Sequence, residues 1–354
     1  MEKKRAGKWI VSFFALVLAI LIFLSALVFF IDPFFQFRVR DHSYMLSGWF
    51  VSSGLIRNHD YDTLILGSSM TQNFNMDRFR EELGAEPLHI GLGGIEPVEM
   101  KELIDLAYEA EKADTYYIGV DTYAFTTQVE ESRYPEYLLR EDFLSRCRYF
   151  FSYEVWFRYL PVDLCLLLLD RLGVELPVKF AYSRSIDRLE DWSLNASYGE
   201  ERMQGSFPGE SRELPQADTE AIYQQMRSCV DRYLDSFHYE KGEHIFFLMP
   251  YSSLYWCDME NSGRMDPYLR AKAYFVEQAI ARGAAVYDFQ AADFTMDLDN
   301  YSDPSHYCPA INDWMVECFA NGDCLVNMEN FDAVQNRLLE NTKQFRESYA
   351  HRSA

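Results

Sequence analysis

The stretch Leu64-Ile-Leu-Gly-Ser-Ser-Met-Thr71 joins a short apolar run to a pair of serines. Residues 62–66 predict a buried strand. The segment after the serines predicts a helix that continues to Leu83, and Gly84 is a residue that typically ends a helix. The two serines are therefore predicted to lie on a strand-to-helix turn, with Ser69 at the N-terminus of the helix.

Four further apolar runs are typical of strands, and helical patterns separate the first ones. The runs are residues 87–90, 115–120, 244–248 and 284–287. Strands that alternate with helices form parallel β-α-β units. The sequence therefore predicts an α/β fold with a five-stranded parallel sheet.

Polar fragments follow the predicted strands at the point where each strand ends. They are Ser68 and Ser69, residues 91–94, Asp121, Pro250-Tyr251 and the pair Asp303 and His306. Functional residues of parallel α/β sheets collect beyond the carboxyl ends of the strands. We therefore expect these five loops to meet at one site.

These residue types suit a serine nucleophile. A serine hydroxyl attacks an acyl group when a histidine removes its proton and a carboxylate orients that histidine. Asp303 and His306 are three residues apart, so one short loop can present both on the same side. We predict Ser69 as nucleophile, His306 as base and Asp303 as the orienting carboxylate. A turn shifted by one residue would make Ser68 the nucleophile instead.

Taken in this order, the fragments resemble the SGNH (GDSL-like) hydrolase superfamily over about residues 60–125 and 240–325. Residues 67–71 look like its first block, and residues 89–94 resemble the second, in which a glycine N–H, here Gly94, serves the oxyanion hole. Residues 119–121 look like the third block, and residues 303–306 match the last, Asp-x-x-His. The resemblance implies a flavodoxin-like, three-layer α/β/α fold with a Ser-His-Asp triad and no cofactor.

The chain departs from the family pattern at two positions. Ser68 replaces an aspartate, as is common in membrane-anchored branches that modify surface polymers, such as proteins of the D-alanyl-teichoic-acid and alginate-acetylation type. Residues 250–252 also look like those branches, which makes Tyr251 a substrate-binding candidate beside Ser68 and Gly94. Asp121 replaces an asparagine, and an ionised carboxylate cannot donate to an oxyanion. Burial could keep Asp121 protonated, it could orient a neighbour, or two backbone donors could suffice.

The N-terminus carries a candidate membrane anchor. The run from Ile10 to Ile31 has no charged residue and would be about 33 Å long as a helix, enough to cross a bilayer. Lys3, Lys4, Arg5 and Lys8 precede it and predict a cytoplasmic N-terminus with the main domain outside. We favour a single-pass anchor in the cell membrane, and a cleaved signal peptide is the alternative.

Composition excludes several classes of function. The formal net charge of -22 argues against nucleic acid as a partner. The seven cysteines form no CxxC pair and the histidines no HExxH pattern, so we predict no metal site. The cysteines are interpreted as buried free thiols, with one or two disulfides as the alternative.

The chain is predicted to be one large domain with an insertion. We divide it into a cytoplasmic tip and anchor (1–35), the first part of an SGNH-like domain (36–125), a mostly helical insertion (126–240), the second part (241–325) and a C-terminal helix (326–354). The insertion could roof the site or serve as a structural cap.

The expected function is that of an extracytoplasmic serine acyltransferase or esterase. Its partners would be a cell-surface polysaccharide or teichoic-acid-like polymer and an acyl donor, with a membrane acyl-transfer protein as a further candidate. The sequence does not separate transfer from hydrolysis. The alternative is a non-catalytic polymer-binding or assembly protein that keeps the same fold.

Overall fold

The computed structural model describes residues 2–39, 47–174, 186–189, 191–203 and 212–350. The chain forms two compact units. One consists of Met1–His59 and Pro135–Ser185, and the other of Asp60–Tyr134 and Ile186–Ala354. Residues 126–240, which we predicted as one insertion, are thus divided between the two units.

The second unit is built on a sheet, which confirms the α/β class. Its strands are β1 (Thr63–Gly67), β2 (Pro87–Gly91), β3 (Thr115–Val120), β4 (Glu243–Leu248), β5 (Ala285–Asp288) and β6 (Leu325–Val326), in the spatial order β2-β1-β3-β4-β5-β6. Neighbours from β2 to β5 pair in parallel, and β6 pairs antiparallel with β5. The prediction of a five-stranded, all-parallel sheet is therefore wrong, because the sheet has six strands and is mixed.

The central strands are apolar because they are buried along their whole length. All five residues of β1 are buried, as are all five of β2. Strands buried on both sides show continuous rather than alternating apolar runs. The packing beside β3 is so close that a Cβ on Gly119 would collide with the end of the Met249 side chain. Gly119 and Met249 lie at the ends of β3 and β4, where candidate site residues follow.

Local signals in the sequence set the helix boundaries of this unit. The helices are Met76–Leu83, Pro97–Ala110, Tyr123–Thr126, Gln216–Leu234, Ser253–Asn261, Met265–Ala281, Pro309–Asn321 and Phe331–Ala350. Asn75 caps the first of them by accepting from the Asp77 N–H, and Gly84 ends it with a φ of 65°. Pro97 occupies the first turn of the second helix, where its missing N–H costs nothing.

The first unit is helical in the residues described. Its elements are Glu2–Ile31, Gly48–Asn58, Glu136–Leu139, Phe143–Phe151, a π-helical stretch Glu154–Tyr159 and Leu160–Arg171. Within the described chain, one helix, Gly7–Ile31, is long and apolar enough to cross a membrane. This confirms the predicted apolar helix.

Asp32 ends the long N-terminal helix in a buried hydrogen-bonded turn. Its φ is 49°, and its carboxylate accepts from the backbone N–H groups of Gln36 at 2.9 Å and Phe37 at 2.8 Å. The Tyr149 hydroxyl donates to the same carboxylate at 2.7 Å. The turn therefore ties the end of the long helix to helix Phe143–Phe151 of the same unit.

Candidate active site

Ser69, His306 and Asp303 form a continuous hydrogen-bonded chain in the sheet unit. Ser69 Oγ lies 2.9 Å from His306 Nε2, and His306 Nδ1 lies 2.8 Å from Asp303 Oδ2. The serine and the histidine are separated by 237 residues in sequence. Their contact therefore depends on the fold rather than on local sequence, and it has the connectivity of a catalytic triad.

The loop that carries Asp303 and His306 is held at both ends. Tyr301 and Tyr307 form an antiparallel bridge, and the Ser302 N–H donates to the His306 carbonyl at 2.9 Å. The loop that follows β4 supports it, because the Ser252 hydroxyl donates to the Pro304 carbonyl at 2.7 Å. The histidine is thus presented by a rigid loop beyond the carboxyl end of the sheet.

Asp303 is an acceptor for both its histidine partner and the loop backbone. Its Oδ1 accepts from the N–H groups of Ser305 at 2.8 Å and His306 at 3.0 Å. Burial raises the pKa of Asp303, but these hydrogen bonds and the one from the His306 ring outweigh burial and leave the pKa below its ordinary value of 3.8. The carboxylate is therefore ionised at neutral pH, as orientation of an imidazole requires.

The serines lie in a tight turn, which corrects the expectation that Ser69 is at a helix N-terminus. The Thr71 N–H donates to the Ser68 carbonyl at 3.1 Å, and the Gln72 N–H donates to the Ser69 carbonyl at 3.3 Å. The helix itself begins only at Met76. The reason is local: Asn75 provides a cap that a helix starting at Ser69 would not use.

Two backbone N–H groups, in the loops that follow β1 and β2, are candidates for an oxyanion hole. Among the described residues, neither the Ser69 N–H nor the Gly94 N–H donates to a backbone carbonyl. Gly94 is exposed and adopts a φ of 66°, which glycine reaches without strain. Its carbonyl accepts from the Arg133 guanidinium, which also forms a fork with the buried Glu99 carboxylate. Arg133 and Glu99 therefore hold the peptide unit that follows Gly94, directly next to the one that carries the Gly94 N–H.

Asp121 is buried at the end of β3 and is hydrogen bonded by two hydroxyl groups. The Tyr251 hydroxyl donates to Asp121 Oδ1 at 2.6 Å, and the Ser68 hydroxyl is its second partner. Burial raises the pKa of Asp121, and the hydroxyl groups and the nearby His306 only partly offset this. Of the three roles considered from the sequence, the raised pKa agrees with the first, and the two hydroxyl partners agree with the second, in which Asp121 orients a neighbour.

Tyr251 is buried in the same cluster as Asp121 and Ser68. Its side chain is 3% exposed, and its ring stacks on that of Tyr255 at 4.3 Å between centroids. Burial and the negative charge of Asp121 raise the pKa of the Tyr251 hydroxyl well above its usual value, which keeps it a donor. This position suits a residue that orients Asp121.

Trp192 was not among the residues singled out from the sequence. Its indole N–H donates to the Ser69 carbonyl at 2.7 Å, and its ring meets the His306 ring edge to face at 5.0 Å between centroids. The residue lies in a short 3-10 turn, Trp192–Asn195, within a polar stretch that has no periodicity. The Asp191 cap, which accepts from the Ser193 N–H, is the one local signal that precedes it.

The residues of the site are those of acid-base and nucleophilic chemistry. A search of the described residues finds no group of three or more His, Cys, Asp or Glu that could hold a metal ion. Comparison with known proteins finds no family model that matches the chain and no curated sequence that matches it. The functional assignment therefore depends on the geometry of the site.

Proposed function

We propose that this chain is an extracytoplasmic, membrane-anchored serine acyltransferase or esterase that acts on a cell-surface polysaccharide. The observation that supports this most is the chain of two hydrogen bonds from Ser69 through His306 to Asp303. A partly exposed serine aligned with a histidine and a carboxylate is an arrangement that fold stability does not require and that nucleophilic catalysis does. The N-terminal apolar helix supports the anchored location.

In the first half-reaction Ser69 Oγ attacks the acyl carbon of the donor while its proton passes to His306 Nε2. The carbonyl electron pair moves onto the oxygen, where the N–H groups of Ser69 and Gly94 would stabilise the negative charge. Collapse of the intermediate re-forms the carbonyl and expels the leaving group, which takes the proton from Nε2. The product is an acyl ester of Ser69.

In the second half-reaction an acceptor hydroxyl gives its proton to His306 Nε2 and attacks the acyl-enzyme. Collapse then releases the new ester and returns the proton to Ser69. A sugar hydroxyl as acceptor makes the protein a transferase, and water makes it an esterase. We favour transfer to a polysaccharide or teichoic-acid-like polymer, since an anchored enzyme has its donor and acceptor nearby. A membrane acyl-transfer protein is a candidate source of the acyl group.

We further propose that the sheet unit is an SGNH-type fold, with a flavodoxin-like three-layer arrangement. The support is the placement of each motif. Ser68 and Ser69 follow β1, Gly94 lies beyond β2, Asp121 follows β3 and Tyr251 lies beyond β4. The first three of these loops and that of Asp303 and His306 correspond, in order, to the four blocks on which the family resemblance is based. The Tyr251 loop corresponds to the segment that resembles the membrane-anchored branches.

The test is hydrolysis of a small aryl ester by the full chain in detergent micelles. We expect Ser69→Ala to abolish turnover and Ser68→Ala, the matched neighbour, to retain a measurable part of it. Full activity in Ser69→Ala would exclude Ser69 as the nucleophile.

The second candidate is a non-catalytic polymer-binding protein, and one observation favours it. Asp121 occupies the position where the family pattern has an amide, so the third oxyanion donor depends on a proton. Clean turnover that requires Ser69 would exclude this alternative.

A further inference from the structure

The helices that follow Pro135 expose an unusual number of large apolar side chains. In helix Phe143–Phe151, the side chain of Phe143 is 79% exposed and that of Leu144 is 70% exposed. Across Glu154–Tyr159 and Leu160–Arg171 the exposed set includes Phe157 at 71%, Leu164 at 40% and Leu168 at 58%. Contiguous apolar surface of this kind marks an interaction site rather than ordinary solvent-exposed surface.

Charge is nearly absent from the middle of this surface. Between Tyr159 and Leu169 the exposed residues are uncharged: Pro161, Val162, Leu164, Cys165 and Leu168. The one acidic residue of that stretch, Asp163, is buried. Exposed Arg158 precedes it, and the exposed pair Asp170 and Arg171 follows it. Arginines in such positions can extend their head groups toward phosphates while their stems remain in apolar surroundings.

The same helices contact the proposed membrane anchor. Its side chains are almost all exposed up to Phe23, whereas those from Leu24 to Val28 are half-buried or buried. The partners in this unit are helices Phe143–Phe151 and Leu160–Arg171, which both contact the anchor helix. Burial of the anchor thus begins about 10 Å before its end at Ile31.

That depth falls within the hydrocarbon of a bilayer. The apolar helix Gly7–Ile31 is about 37 Å long, and the hydrocarbon core is about 30 Å thick. The helix is therefore longer than the core is thick. Even if all of this extra length projected beyond the outer surface of the core, Leu24 would remain inside it. Whatever packs against Leu24 to Val28 must then lie at least partly in lipid, and helices can do so because their backbone hydrogen bonds are internal.

We propose that helices Phe143–Phe151 and Glu154–Arg171 are embedded in the same leaflet as the end of the anchor, with their apolar faces against lipid acyl chains. This inference rests on the proposed membrane anchoring. An open cavity of about 510 Å³, lined by Leu144, Phe151 and Arg148 among others, is large enough for part of an acyl chain. Arg148 could bind the phosphate of the lipid head group. On this proposal, helices Phe143–Phe151 and Glu154–Arg171 hold the protein in the membrane together with the single membrane-spanning helix.

The test uses the full chain in vesicles of phosphatidylcholine and phosphatidylglycerol that contain a phospholipid with a diazirine in its acyl chain. After photolysis, peptide mapping locates the lipid adducts. We expect adducts on the anchor helix and on residues 143–172. The exposed apolar residues of the sheet unit, Leu325 and Met328, serve as an internal control and should carry none.

Two outcomes would overturn the proposal and can be told apart. Adducts on the anchor alone would mean that the helices after Pro135 face water or a protein partner, while the anchoring stands. The absence of adducts from both the anchor helix and the helices after Pro135 would contradict the membrane anchoring and this inference together.

A matched pair of variants provides a second measure. In Leu164→Glu with Leu168→Glu, both exposed positions become charged, and charge is costly inside a bilayer. We expect about tenfold fewer adducts on residues 153–172, with those on the anchor retained. Leu325→Glu should leave the adduct pattern unchanged. Wild-type adduct yield in the double variant would contradict the proposal.

Discussion

Ser69, His306 and Asp303 are close enough to act as one unit, and their neighbours hold them in place. The three could be predicted from the sequence because each residue type has a distinct chemical role and a characteristic spacing. Trp192 could not, since a tryptophan in a polar, aperiodic stretch has many uses. Its contact with Ser69 spans 123 residues and exists only in the folded chain.

Replacing Asp303 by asparagine tests the orienting role. The asparagine side chain can still accept from the loop N–H groups, but it carries no charge and can favour the wrong imidazole tautomer. We expect kcat for an aryl ester to fall by about 10³- to 10⁴-fold with the fold retained. Asp293→Asn, at an exposed ion pair with Arg337, is the control and should keep wild-type turnover. A loss below tenfold would argue against a triad.

Asp121 predicts a defined pH dependence of stability. Because burial raises its pKa in the folded state, its contribution to stability is fully present below the ordinary pKa of 3.8 and is lost as pH rises through the folded value. Asp121→Asn removes this titration. The difference in Tm between variant and wild type should therefore shift in favour of the variant as pH rises above 3.8. A difference that is constant with pH would contradict the assignment.

The hydrogen bonds of Asp121 can be tested separately. Asp121→Ala leaves the Tyr251 and Ser68 hydroxyl groups buried without this acceptor. We expect a loss of about 1–3 kcal/mol of stability in denaturant unfolding relative to Asp121→Asn, which keeps an acceptor oxygen. Equal stability of the two variants would show that the cluster is not held by Asp121.

Trp192→Phe isolates the indole hydrogen bond to the Ser69 carbonyl, because the ring remains beside His306. A hydrogen bond of about 0.5–1.5 kcal/mol corresponds to a loss of about 2- to 10-fold in kcat. Trp192→Ala should cost more, since the contact with His306 is lost as well. Trp314→Phe, a half-buried tryptophan that packs on Phe289 and Phe294, is the control.

At the scale of elements, buried apolar runs predicted five strands within about one residue of their observed bounds. Strand β6 was missed because it has two residues, too few to show a pattern. The sequence predicts the turn after β1 as part of the helix that follows it. The N-cap at Asn75 shows that the helix begins only at Met76. Local capping thus outweighs a general helical pattern at this site.

The turn after β2 is held by a side-chain contact from Arg133, which no pattern in the sequence predicts. Arg133 joins the Gly94 carbonyl to the carboxylate of Glu99, which is 34 residues away. We expect Arg133→Ala to lower kcat about tenfold, less than the full loss of an oxyanion donor, because the loop loses a support next to the Gly94 N–H while the N–H itself is kept. Arg270→Ala, at an ion pair with Glu220 between two helices, should keep wild-type kcat. Unchanged kcat in Arg133→Ala would show that this contact does not position the Gly94 loop for catalysis.

At the scale of the whole molecule, the division into two units differs from the predicted segments. The segment Pro135–Ser185 packs with Met1–His59, for instance through the Arg57 guanidinium, which donates to the Leu138 carbonyl at 2.7 Å. Such contacts join distant parts of the chain and leave no periodic signal. The predicted insertion was placed by the absence of a strand pattern, and that absence does not reveal its packing partner.

The central claim is that Ser69 is an activated nucleophile, and reaction with a fluorophosphonate probe tests it most directly. The full chain in detergent micelles is labelled and mapped by peptide mass spectrometry. We predict a single adduct on Ser69 that is lost in His306→Ala and kept in Ser68→Ala. A folded protein that takes no label, or takes it on another serine, would contradict the account.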